Sequence, residues 1–243
     1  MKSLQTSTWA DIDAFRARLA GGSPGSPGSV EEAAQAFAAD LAVSAPTVLL
    51  ARLFLVLPFG TLPAAEQEFA RKLIGASPGL DAMTPTLTLL GSHGVEADWC
   101  TRQGSKGHRA IPLLGAAFVE GIPMISRLLS DFGIGFTSGD GGKTLDTRRL
   151  LGGRNAAFFV ADAVSSLDQG GRQIIPAKEF VGKYGVRTVF GMGGAYVDGT
   201  LAVAIVFTRE LIERVVVDRF PSLISNFKMA TAKLLAGGQL FRK

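Results

Sequence analysis

The sequence predicts an α/β domain of the α+β type, an antiparallel or mixed sheet flanked by helices and followed by a long C-terminal helix. Three observations predict it. Residues 186–190 and 201–207 are apolar runs joined by a glycine-rich stretch containing Asp198-Gly199, a hairpin signature. Residues 209–235 place Ile212, Val216, Phe220, Leu223, Phe227, Ala230 and Leu234 at helical spacing. Two shorter helical stripes, over 9–19 and 30–43, precede the first long apolar run.

Taken in order, Ser7 or Thr8 caps a helix over 9–19 whose apolar positions are Trp9, Ile12, Phe15 and Leu19. The Gly/Ser/Pro stretch 21–29 reads as a flexible tether, which leaves the first helix able to move or to dock on a partner subunit. Ser29 caps the helix over 30–43, with Glu31 and Glu32 in the first turn, where the helix dipole favours acids. Residues 47–57 form a buried strand or a buried helix, two states that periodicity alone does not separate. A helix over 63–75 turns Phe69, Leu73 and Ile74 inward, and residues 86–90 alternate as a strand behind Pro85. A helix spans 116–132, kinked or started by Pro123. A strand covers 156–161 and a helical turn 177–181, and residues 191–200 turn the chain between the hairpin strands. Pro221 starts, breaks or kinks the last helix. These elements divide the chain into a helical extension over 1–44, with its linker at 21–29, and a main domain over 45–243.

Composition narrows the class. The chain has 243 residues, of which 47% are apolar, enough for a well-buried core. Charged residues make up 19%, below the ~25% usual for soluble domains, which favours self-association as a homodimer through the terminal helices. The net charge of +4 is spread out, with no basic run longer than two residues, so nucleic acid is not an expected partner. One cysteine excludes an intramolecular disulfide and suits a reducing compartment. No signal-like stretch opens the chain, and the longest apolar run, 45–59, is broken by Arg52 and Pro58 and closed by Gly60. A cytoplasmic protein with no membrane partner is expected.

Residues 91–113 collect both histidines, the single cysteine and one of the two tryptophans: His93, Asp98, Trp99, Cys100, Arg102, Lys106, His108 and Arg109. Polar groups on a loop beside a core are where specificity is built. Arg102, Lys106, His108 and Arg109 offer cationic or donor groups beside Gly104 and Gly107, where backbone can approach a ligand closely, and a guanidinium presents a planar fork to carboxylate or phosphate. The alternative is a solvated loop whose charges face water. His93, Asp98, Cys100 and His108 are metal-ligating types without zinc spacing, so no metal is assigned. Cys100 with Asp98 and His108 contains the groups of a thiolate system, but spacing along a loop says nothing about geometry. A phosphate-binding loop at 139–144 lacks its first glycine, where Thr137 stands, and the Gly191-Met192-Gly193-Gly194 segment lacks the third glycine of a dinucleotide fingerprint, where Tyr196 stands. Tyr184 and Arg187 open the closing hairpin and are the second candidate pair, with core packing and a surface ion pair as their alternatives.

The order strand, turn, Gly-x-Gly-Gly, Asp198 through Phe207, long helix resembles the closing part of a GAF or PAS sensor domain. The stretch from Ser105 to Leu113, with Pro176 to Val181 and Tyr184 to Arg187, resembles the N-terminal sensor region of some bacterial histidine kinases and diguanylate cyclases. The resemblance covers residues 45–235 and implies a ligand held between the sheet and the elements that cover one face. No output module follows before Lys243, so it implies a stand-alone sensor or one whose output passes to another protein. No Cys-His pair matches the bilin-anchoring cysteine of phytochrome-type members.

The expectation is therefore a signalling domain that recognises a small molecule, anions among the classes it would take, through Trp99, Arg102, Lys106, His108, Arg109, Tyr184 and Arg187 and relays it through terminal helices to a partner protein. No cofactor is assigned. A small enzyme using Cys100 and His108, and a ligand-free structural dimer, are the alternatives.

Overall fold

The computed structural model describes residues 1–21, 27–75, 79–137, 144–151 and 154–242. Most of the expected tether and most of the 139–144 glycine loop lie outside the described residues. The main strands are β1 (Val48–Pro58), β2 (Pro85–Gly94), β3 (Ala110–Pro112), β6 (Asn155–Val160), β7 (Thr188–Ala195) and β8 (Leu201–Thr208). They form one antiparallel sheet in the order β3-β2-β1-β8-β7-β6, while β4 (Gly135–Phe136) and β5 (Leu145–Asp146) pair separately.

β1 runs through the middle of the sheet and divides its side chains between two cores. Ala51, Leu53, Leu55 and Leu57 face one, and Leu50, Phe54 and Val56 face the other. A strand buried on both faces reads as a continuous apolar run, which is why its sequence has no decisive period.

The first core lies under helices α1 (Trp9–Gly21), α2 (Val30–Ala42) and α8 (Ser222–Ala236). Thr8 caps α1 by accepting from the Asp11 backbone N–H, and Ser29 caps α2 by accepting from that of Glu32. α2 seats directly on β2 because Gly91 is bare: a Cβ there would lie 2.1 Å from the Ala34 carbonyl oxygen. α1 is docked on α8, with Ile12 and Phe15 buried and Trp9 left exposed.

The second core lies under α4 (Ala116–Glu120), α5 (Pro123–Asp131) and α6 (Lys178–Tyr184). Here Gly193 supplies the bare position, since its Cβ would fall 2.2 Å from the Phe132 ring at the end of α5.

At 116–132 and 209–235 the prolines start a new helix, one of the alternatives expected for each, and two further expectations are corrected. The helix over 116–132 is two helices, with Pro123 at the first position of the second, where its missing N–H costs nothing. The helix over 209–235 is likewise divided into α7 (Arg214–Val217) and α8, with Pro221 at the start of α8. Gly191, Gly193 and Gly194 do not turn the chain but lie within β7, and the turn follows at 196–200 with Gly199 at φ 86°. In α3 (Ala64–Ile74) Phe69 packs against the first core as expected, but the buried residues are Glu66 and Ala70, and Leu73 is exposed.

Candidate functional site

β2 extends to Gly94, so the front of the polar segment is sheet rather than loop. A short helical turn at Ala97–Trp99 follows, and the chain returns to the sheet edge at β3. Gln35 of α2 fastens this return by donating to the carbonyls of Ser92, at 2.8 Å, and Cys100, at 3.0 Å. Gly104 serves the loop's own packing, because a Cβ there would lie 2.0 Å from the Asp98 carbonyl oxygen, whereas the space beside Gly107 is open.

Two of the expected ligand cations are already paired. Arg102 is buried and donates to Glu31 and to Glu66, each at 2.6 Å, and Arg109 donates to the same Glu66 oxygen at 2.6 Å. Two carboxylates thus balance two guanidiniums, with the Phe241 ring 5.3 Å from the Arg102 guanidinium. Burial favours the neutral acid of Glu66, but hydrogen bonds and charges from Arg109 and Arg102 outweigh it and hold its pKa below the usual carboxylate value. This network ties the loop to α2 and α3.

Trp99 and Tyr184 do meet. Their rings are 4.7 Å apart, with Phe180 5.4 Å from Trp99, and the Tyr184 hydroxyl donates to Glu96 at 2.8 Å. This aromatic group closes one end of the second core. Arg187 is exposed and lies 3.7 Å from Asp162, away from the loop cations in its bonding. Lys106 is exposed. Cys100 donates its thiol hydrogen to the Gly94 carbonyl at 3.4 Å, and His93 stands opposite Ala51, on the α2 side of the sheet.

The unpaired charge is elsewhere. Arg52 lies in the middle of β1, with Ser92 and Ile205 as its direct neighbours on β2 and β8. Leu50 and Phe54, two residues either way, and Ile205 belong to the second core, so the Arg52 side chain projects from that apolar face. Its Nε is buried without a hydrogen-bond partner, and Arg52 makes no ion pair among the described residues. Burial lowers its pKa to about 10, which leaves it charged at neutral pH. His108 is within its electrostatic reach: burial, then the Arg52 charge, lowers the imidazole pKa to about 4, so His108 is neutral. The site therefore presents a half-buried cation, its Nε fully covered, near a half-buried neutral imidazole. In the sequence, Arg52 shows only as a break in the apolar run 45–59; an arginine inside a strand buried on both faces was the available signal.

Strand order, helices on both faces, the closing hairpin and the C-terminal helix make this an α+β domain with the architecture that the sequence resemblance implies. No family model and no curated protein matches the chain. Among solved structures it is similar to the GAF domain of an Acinetobacter phosphoenolpyruvate-protein phosphotransferase, with 10% identity, coverage of 93% of each chain and a TM-score of 0.48. It is also similar to the phycocyanobilin-bound GAF domain of a cyanobacterial phytochrome, with 10% identity, coverage of 96% of this chain and 98% of the other, and a TM-score of 0.45. No helix among the described residues is long and apolar enough to cross a membrane.

Proposed function

We propose that this chain is a sensor domain that binds a small anionic ligand at Arg52 and His108 and relays occupancy through the loop at 95–109 to the C-terminal segment. The observation that carries it is Arg52, a charged group in the middle of the sheet whose buried Nε has no hydrogen-bond partner and which makes no ion pair among the described residues. A buried cation without a partner costs free energy, and an anionic ligand offsets that cost when it binds. Lys106, exposed on the loop, adds to the field that an incoming anion meets.

Contacts beyond His108 support the relay. Arg102, on the same loop, grips Glu31 at the start of α2. The tail after α8 grips the same turn: the backbone N–H groups of Val30 and Glu31 donate to the carbonyls of Gln239 and Leu240 at 2.8 and 2.9 Å, and the Arg242 N–H donates to Glu31 at 3.0 Å. A ligand that prefers one arrangement of the loop shifts the population of the whole set. In this scheme Arg102 and Arg109 couple rather than bind, and Trp99 and Tyr184 bound the site. Trp9 on α1 and Met229 on α8, exposed at 59% and 70%, are surfaces through which a second copy or a signalling partner would read the change.

Hydrogen exchange with a panel of small anions and their neutral analogues tests this. An anion should protect both 99–109 and 238–242, and Arg52→Met should abolish the response. A panel without any response, or an undiminished response in Arg52→Met, overturns the proposal.

A further inference from the structure

The geometry points to an interaction surface: we infer that the start of α2 is a docking groove for the segment Gln239-Leu240-Phe241-Arg242, filled in a single chain by its own tail and, between two copies, by the tail of the other. This surface is independent of any ligand at Arg52.

Three features carry it. The first is that the tail is held as a bound peptide is held. A helix leaves its first N–H groups free, and those of Val30 and Glu31 donate to the Gln239 and Leu240 carbonyls, while Glu31 accepts the Arg242 N–H. Side chains add selectivity. The Phe241 ring lies 5.3 Å from the Arg102 guanidinium, Leu240 and Phe241 pack on the first core, and Glu32 stands 3.4 Å from the Arg242 guanidinium. An extended segment with an aliphatic, an aromatic and a basic residue in a row meets all of these. The second feature is depth. Gln239 and Arg242 are exposed and Leu240 and Phe241 half-buried, so the segment lies on the surface and can leave without opening the core. The third is the joint. The tail is attached to α8 through Gly237 and Gly238, with Gly238 at φ 68° and open space where its Cβ would be. Glycine torsions there swing the tail off its own body while α8 stays intact. A second copy carries the same segment on the same joint, so reciprocal exchange keeps every groove contact of the single chain. The low content of charged residues, 19%, also favours contact between copies.

A synthetic peptide of residues 237–242, amidated at its C-terminus, probes the groove of the full-length chain. A tethered tail has an effective concentration of about 1 mM, so peptide at that level should displace it. Read amide by amide, hydrogen exchange at Arg242 should then rise about fivefold or more, while Val30 and Glu31 stay protected. Sedimentation equilibrium should show a dimer that grows with protein concentration, is dissociated by the same peptide and is lost in Phe241→Ser. Phe241→Leu, which keeps the apolar contact, should keep the dimer. Unchanged protection of Arg242 under peptide, or a dimer indifferent to both peptide and Phe241→Ser, overturns the inference. Displacement by peptide in a chain that stays monomeric up to about 1 mM would assign the groove to a segment of another protein, and overturns the second copy as its occupant.

Discussion

At the scale of single residues, Arg52 and His108 set stability against binding. An unpartnered guanidinium in an apolar layer destabilises the fold that holds it, so removing it should help folding. Arg52→Met is expected to raise unfolding free energy by about 1–3 kcal/mol in urea titrations, because it removes a buried charge and keeps most of the volume. A variant less stable than wild type would mean that Arg52 is a structural group after all. His108 makes a pH prediction. Its folded pKa, about 4, is below the ordinary value of 6.5, so lowering the pH protonates the unfolded chain first. Stability is fully present above pH 6.5 and is lost as pH falls toward 4, by up to about 3 kcal/mol. Urea midpoints measured across that window should fall for wild type and change much less for His108→Gln.

At the scale of elements, the sheet accepts helices on its two faces through bare strand positions. Gly91 admits α2 and Gly193 admits the end of α5, at Cβ approaches of 2.1 and 2.2 Å that no side chain tolerates. Gly91→Ala and Gly193→Ala should each cost about 1–3 kcal/mol by forcing a helix outward, with Gly107→Ala near neutral as the control, read from thermal midpoints. The strands at 86–90, 156–161 and the closing hairpin, and most helices, were legible because their signals are local: the caps at Thr8 and Ser29, the turn at Asp198-Gly199, the prolines at 123 and 221; the central strand β1 stayed ambiguous with a helix, and the short β3 at the sheet edge left no signal. The inward face of α3 was not. Its sequence offers Phe69, Leu73 and Ile74 as the apolar side, but Glu66 turns in because Arg102 and Arg109 wait there, 36 and 43 residues further along. Glu66→Gln, which removes the shared acid and leaves the buried Arg102 with Glu31 alone and Arg109 without its ion-pair partner, should cost about 3–5 kcal/mol. Because the folded Glu66 pKa is depressed, its contribution is present above the ordinary carboxylate value of 4.5 and is lost as pH falls below it.

At the scale of the whole molecule, the polar segment keeps its importance and changes its role. In sequence it looks like a cluster of ligand-binding cations. In the fold, its two arginines are fixed to partners on α2 and α3, and one of its two histidines, His108, lies near an arginine from β1. Such pairings join residues far apart in the chain, and spacing carries no record of them. The same network reaches the C-terminal tail. Gln239 and Leu240 accept hydrogen bonds from the first turn of α2, Phe241 lies against Arg102, and Leu240 and Phe241 pack on the first core. Truncation after Gly238 leaves α8 whole but strips these partners away. The hydrogen bonds lost from Gln239, Leu240 and Arg242, together with the lost apolar contacts, should cost about 2–4 kcal/mol. The pattern of the loss is more telling than its size. If the tail and the loop are one mechanical unit, hydrogen exchange in the truncated protein rises in 30–35 and in 95–105, far from the cut in sequence, while β7 and β8 keep their protection. Exchange that rises only beside the new terminus would show that the tail is an appendage, and the proposed relay would then lack its last link.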